Sequence, residues 1–170
     1  MVIKLIGAGL IIVGCGSFGF LVANGIKKEC ITLRQFIIAV EFMLCEINYR
    51  MTPLPELFRL TSSVCSGSMC KFFLNAANEL DKHTSIVPQT CILNALKISK
   101  DLPKYTTECI LLLSQTIGTF NLSGQLKVLE HVKAEATRKL QQASDNQENK
   151  LKYYKTLGLS AGTALVIIFV

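Results

Sequence analysis

The chain is apolar at both ends and charged only between them. Leu5 to Ile26 and Leu157 to Val170 hold no charged side chain, and apart from Lys4 every charge lies between Lys27 and Lys155. Chain termini are normally solvated and frayed, so a soluble globular protein has little use for its longest apolar runs there. A polar middle region held on a membrane by its two ends does. As a helix the first run is about 33 Å long, enough for a bilayer core of about 30 Å. The second run is about 21 Å long. It spans only if Tyr153, Tyr154 and Thr156 sit at the interface and Lys155 snorkels. The expected organisation is an N-terminal transmembrane helix over 1–26, a cytoplasmic domain over 27–152 and a C-terminal transmembrane helix over 153–170.

Charge placement assigns the side. The formal net charge is +6, and much of the excess sits at Lys27 and Lys28 after the first run and at Lys150, Lys152 and Lys155 before the second. Lysines on the inner flank of both runs are the cytoplasmic anchors of a membrane protein. The middle domain is therefore expected in the cytoplasm with both termini outside, and Lys4 is a weak vote against. Basic and aromatic residues are not interleaved on one face, so nucleic acid is not an expected partner. The 7 cysteines form no CxxC pair, and His83 and His131 lie far apart, so zinc spacing is absent. Cys45, Cys91 and Cys109 fall among apolar residues at helical intervals, which predicts buried thiols in a reducing compartment.

Two motifs inside the first run invite other readings. Gly14-Cys15-Gly16-Ser17-Phe18-Gly19 fits the G-x-G-x-x-G dinucleotide fingerprint. That site needs a strand before it and strands alternating with helices after it, and only helical periodicity follows. Ile12-Val13-Gly14-Cys15 resembles a relaxed lipoprotein signal. It defines the alternative class, an acylated extracytoplasmic binding protein anchored through Cys15. Against it, the residues after Cys15 stay apolar instead of becoming a polar tether. In a membrane helix, small residues at Cys15, Gly19 and Ala23 let another helix approach closely, as do Gly158 and Gly162 in the second run.

The middle region reads as an all-α, antiparallel bundle of about six helices. Leu33, Phe36, Ile37, Val40, Met43, Leu44 and Ile47 recur at three- and four-residue steps, predicting an amphipathic helix with Thr32 as N-cap. Thr52-Pro53-Leu54-Pro55 stops it near Arg50 or Met51 and opens a short helix over Pro55–Leu60. Ser62–Ser68 reads as a connector, followed by helices over Met69–Leu80 and Val87–Ile98. A further helix starts at Asp101-Leu102-Pro103 and ends near Gly118, a C-cap glycine. From Ser123 a thin stripe, Leu126, Leu129, Val132 or Lys133, Ala136 and Leu140, predicts a solvent-exposed, coiled-coil-like helix.

No Ser-His-Asp, Cys-His or HExxH arrangement can be assembled, so binding and scaffolding outrank catalysis and no cofactor is expected. Among the carboxylates Glu46 stands out, near the apolar face one turn before the proline break. It is either presented to a partner or hydrogen-bonded within its own domain.

Leu33-Arg34-Gln35-Phe36, the string Glu46-Ile47-x-Tyr49-x-x-Thr52-Pro53-Leu54-Pro55-Glu56, and Ile117-Gly118 leading to Gln125 resemble the stage III sporulation protein AB family. Leu44 stands where that family tends to have a first Glu, and Asn121 where Asp is expected. The resemblance implies a component of the channel-like apparatus between mother cell and forespore, placed in the mother-cell membrane. It also implies a helical domain similar to the cytoplasmic domains of the type II secretion inner-membrane platform protein. By that fold analogy the partners are a cytoplasmic secretion-type ATPase, the AA protein of the same apparatus, and other channel components, with homo-oligomers also open. The residues it marks for partner contact or domain geometry are Glu46, Tyr49, Thr52, Pro53, Leu54, Pro55, Glu56, Gly118 and Gln125.

Overall fold

The computed structural model describes the backbone of residues 2–82, 87–117 and 124–146, and side chains within these ranges from Lys27 onward except at 116. Six helices and no strand occur among the described residues: α1 (Val2–Arg50), α2 (Leu54–Val64), α3 (Gly67–Lys82), α4 (Pro88–Ile98), α5 (Lys104–Thr116) and α6 (124–146). The chain divides into two compact units, Met1–Lys28 with Gln142–Val170, and Glu29–Gln141. Among the described residues no helix is long and apolar enough to cross a membrane. The side chains of both expected spans lie outside those described.

In the Glu29–Gln141 unit, α1 buries most of the face its spacing predicts, with Ile37 and Leu44 only half-buried. Leu33, Phe36, Val40 and Met43 are fully buried and Ile47 nearly so. Thr32 does not cap this helix; it is a buried residue in its interior. No Gly or Pro occurs between Gly25 and Pro53, so nothing before Thr32 stops the helix from running through it. Cys45 is exposed, contrary to expectation, while Cys91 and Cys109 are buried. Two residues beyond Met43 on a helix is roughly the opposite side.

The α2–α3 pair is a dry aromatic seam. Phe58 meets Phe73 edge to face at 5.6 Å between centroids, and Phe72 meets Phe73 at 5.2 Å. All three rings are fully buried, and burying each contributes roughly 1.5–3 kcal/mol before entropic costs. α2 is longer than predicted because its hydroxyls bond back along the helix. Thr61 donates to the Leu57 carbonyl, Ser62 to Arg59 and Ser63 to Leu60, each at 2.7 Å. Residues that usually favour connectors are thereby satisfied inside a helix, and the connector shrinks to Cys65-Ser66. Gln35 Oε1 of α1 accepts the Ser66 N–H at 2.9 Å. Gly67 then turns the chain at φ +61, with open space around it; the backbone conformation, not crowding, selects glycine.

α3 packs on α4 and α4 on α5. Pro88 takes the first turn of α4, where its missing N–H costs nothing. α5 starts later than its sequence signal, at Lys104, with Pro103 as N-cap and no side-chain cap of its own. Glu29 of α1 supplies it: Oε1 accepts the Tyr105 N–H at 2.7 Å across 76 residues. A carboxylate at a helix N-terminus satisfies an orphan donor and faces the positive end of the dipole.

α6 is not a free-standing helix. Its stripe is buried at Leu129, Val132 and Ala136, and its polar flank is tied down by ion pairs. Lys133 meets Glu41 of α1 at 2.8 Å. Lys139 donates to Glu108 of α5, lies 3.8 Å from Glu135 and sits 5.4 Å from the Tyr105 ring centroid. Arg138 grips Glu135 through two hydrogen bonds at 2.9 and 2.7 Å. The Lys139 hydrogen bond holds the Glu108 carboxyl below the usual carboxylate range, and Glu108 in turn raises Lys139. Arg138 lowers Glu135 in the same way.

Candidate functional site

The α1–α2 turn gathers most of the residues marked by the Glu46–Glu56 string. α1 ends at Arg50, and Met51 adopts φ 52. A left-handed residue after a helix is usually glycine; for methionine it costs about 1–2 kcal/mol. Pro53 then bars Thr52 from the helical region and caps α2, its carbonyl accepting the Leu57 N–H at 2.8 Å. Pro55 occupies the first turn of α2, where no donor is needed.

Glu46 holds the turn from inside. Only 9% exposed, its Oε2 accepts the Thr52 hydroxyl at 3.0 Å and its Oε1 lies 3.5 Å from Arg50 Nη1. A carboxylate this buried needs such partners, and both come from the turn it stabilises. The same arrangement leaves two large side chains in solvent: Tyr49 is 80% and Met51 69% exposed. Pro53 and Glu56 are also exposed, with Leu54 and Pro55 half-buried. Glu56 lies 3.8 Å from Arg59, and Arg59 also bonds to Asp81 of α3. The turn is thus braced against α3 by a chain of charges.

One residue further into the bundle, Ile47 lines a small apolar cleft with Leu113 and Ile117 of the α5 end and Gln125, Val128 and Leu129 of α6. Ile47 and Gln125 therefore meet across 78 or so residues of sequence by way of a common cleft, a juxtaposition that short-range patterning does not reveal. Gly118 lies outside the described residues, as do Gly158 and Gly162; for Cys15, Gly19 and Ala23 only the helical backbone is described.

Sequence reasoning missed Arg50, Met51 and Arg59. Arg50 and Arg59 follow Glu46 and Glu56 by four and three positions, the helical ion-pair spacing that could have found them. Met51 carries no comparable signal, because nothing in its side chain asks for a left-handed backbone. Among the described residues no group of three His, Cys, Asp or Glu side chains could hold a metal ion. His131 is exposed, and His83 lies outside the described residues.

The family model described as stage III sporulation protein AB matches residues 4–170. The chain belongs to the stage III sporulation protein AB family. A solved structure described as "Stage III sporulation protein AB (SpoIIIAB)" shares the fold with a TM-score of 0.65 at 22% identity, over 72% of this chain and 98% of that one. No curated protein matches. In this member of the stage III sporulation protein AB family, the string that carried the resemblance is the turn that Glu46 and Thr52 close.

Proposed function

We propose that this chain is a non-catalytic assembly platform of the sporulation apparatus between mother cell and forespore. Its Glu29–Gln141 unit faces the cytoplasm of the mother cell, and the apolar runs over 1–26 and 153–170 anchor it in the membrane with both termini outside. The α1–α2 turn receives a partner, and the partner is a secretion-type ATPase, the AA protein of the same apparatus. Family membership supports the sporulation setting. The observation that carries the docking role is the display of Tyr49 and Met51, two large apolar side chains in solvent on a turn fixed from inside by Glu46. Rigid, exposed aromatic and methionine side chains are the groups that anchor protein interfaces. Holding them in place beforehand lowers the ordering cost of association.

The test is photocrosslinking in sporulating cells with a photoreactive residue at Tyr49, Met51 or Glu56. Capture of the ATPase or another apparatus component is expected from these positions and not from Leu74 on α3. If all three positions capture no apparatus component, the platform reading fails.

A further inference from the structure

The α4–α5 turn combines an exposed apolar residue with a cluster of exposed lysines. Ile98, the last residue of α4, is 60% exposed. Around it Lys97, Lys100 and Lys104 are exposed, with Asp101 between them and Glu29 and Glu108 near Lys104, and none of these lysines makes an ion pair among the described residues. The turn is also well formed. The Ser99 N–H bonds to the Ala95 and Leu96 carbonyls at 3.1 and 3.2 Å, Lys100 to Ile98 at 3.1 Å and Leu102 to Ser99 at 3.4 Å. An exposed β-branched apolar side chain at a turn with three exposed lysines has no explanation in the bundle core.

Its place in the chain suggests one. Glu29, whose carboxylate caps the first turn of α5, is only three residues beyond Ile26, where the first uncharged run ends. The α4–α5 turn therefore lies at the end of the unit from which that run departs. On the reading that this run is a membrane anchor, as proposed above, the lysines face a lipid surface.

We propose that the α4–α5 turn docks on the anionic headgroups of the membrane. Lys97, Lys100 and Lys104 pair with phosphates, and Ile98 enters the interface between headgroup and acyl chain. Lysines beside an anionic leaflet are attracted within a Debye length, and an apolar side chain among them adds burial, as on interfacial helices. Docking at this turn holds the unit in one attitude to the bilayer.

The experiment uses the full chain with a genetically encoded environment-sensitive fluorophore at Ile98, or at Leu74 as control, mixed or reconstituted with phosphatidylglycerol or phosphatidylcholine vesicles. With phosphatidylglycerol, emission from position 98 shifts to the blue and is quenched by lipid-borne quenchers. High salt, phosphatidylcholine, or the combined Lys97→Gln, Lys100→Gln and Lys104→Gln variant reduces that signal roughly tenfold or more, and position 74 stays wet throughout. Position 98 remaining as wet as 74 on phosphatidylglycerol overturns the proposal, even where the chain floats with the vesicles. Flotation addresses the anchor separately. A chain that floats only with phosphatidylglycerol, and through these lysines, refutes the membrane-anchored reading while the docking turn stands.

Discussion

The two helix contacts that close the bundle are built from opposite materials. α2 meets α3 through three buried phenylalanine rings, whereas α6 is held to α5 by Lys139 and Glu108 beside Tyr105, with Arg138 and Glu135 alongside. The aromatic seam derives its strength from area removed from water, which neither salt nor mild acid changes. The ionic seam is partly wet, and exposed pairs of this kind are worth little individually and weaken with salt. The first contact fixes that the helices pack; the second selects which polar face of α6 turns toward α5.

The largest test of that contrast is Phe73→Ala, which removes the ring shared by both aromatic contacts. It should cost about 3–5 kcal/mol, read as a lowered urea midpoint, and by the same amount at pH 7 and pH 3.5. A penalty that changes with pH would break the distinction between the seams.

Lys139→Met should behave in the opposite way. Glu108 sits below the usual carboxylate range because Lys139 hydrogen-bonds to it, so its stabilising contribution is present above the unfolded-state value. That contribution is lost as pH falls through the lower folded value. The variant should therefore differ from the parent at pH 7 and converge with it in acid. Alkali also removes the ionic contact, because Lys139, raised by Glu108, loses its charge as pH rises through its folded value. Cys65, at the end of α2, and Cys109, on α5, are both pushed up to about 11 by burial. Unfolded thiols ionise from near pH 9, and both regions then lose stability as the pH rises toward 11. Thermal melts across this range check both limbs.

The smallest effect is expected at Thr106 of α5, whose fully buried hydroxyl has no hydrogen-bond partner among the described residues. Thr106→Val removes an unsatisfied polar group at nearly constant volume. It should be neutral or stabilising by up to about 1 kcal/mol, where most core changes destabilise. Denaturant titration showing a loss above that size would mean the hydroxyl has a partner.

What was legible in the sequence was periodic. The buried face of α1 follows directly from the spacing of Leu33, Phe36, Val40, Met43 and Ile47, and Thr52-Pro53 marks the break after Arg50. What was illegible depended on where a polar group finds its partner. Thr32 has the side chain of a cap but sits in a segment that is already helical. Ser62 and Ser63 look like loop residues until their hydroxyls find carbonyls one turn back. α6 looked solitary because its stripe is thin, yet a thin stripe suffices when Lys133 and Lys139 find acids on α1 and α5. At the candidate site, the Glu46–Thr52 string stood out as a string, but the bond between its ends was a matter of geometry. Ile47 and Gln125 share a cleft only where α1, the end of α5 and α6 come together.

The cap that Glu29 lends to α5 carries a practical corollary for anyone dissecting this chain. A fragment starting at Cys30 would still contain every residue of α5, yet it would have discarded the acceptor for that helix's Tyr105 N–H, 76 positions upstream. Trimming the apolar end for solubility should stop short of residue 29. A cut a single residue too deep would appear as a frayed helix in the far half of the fold, where no one would look for the damage.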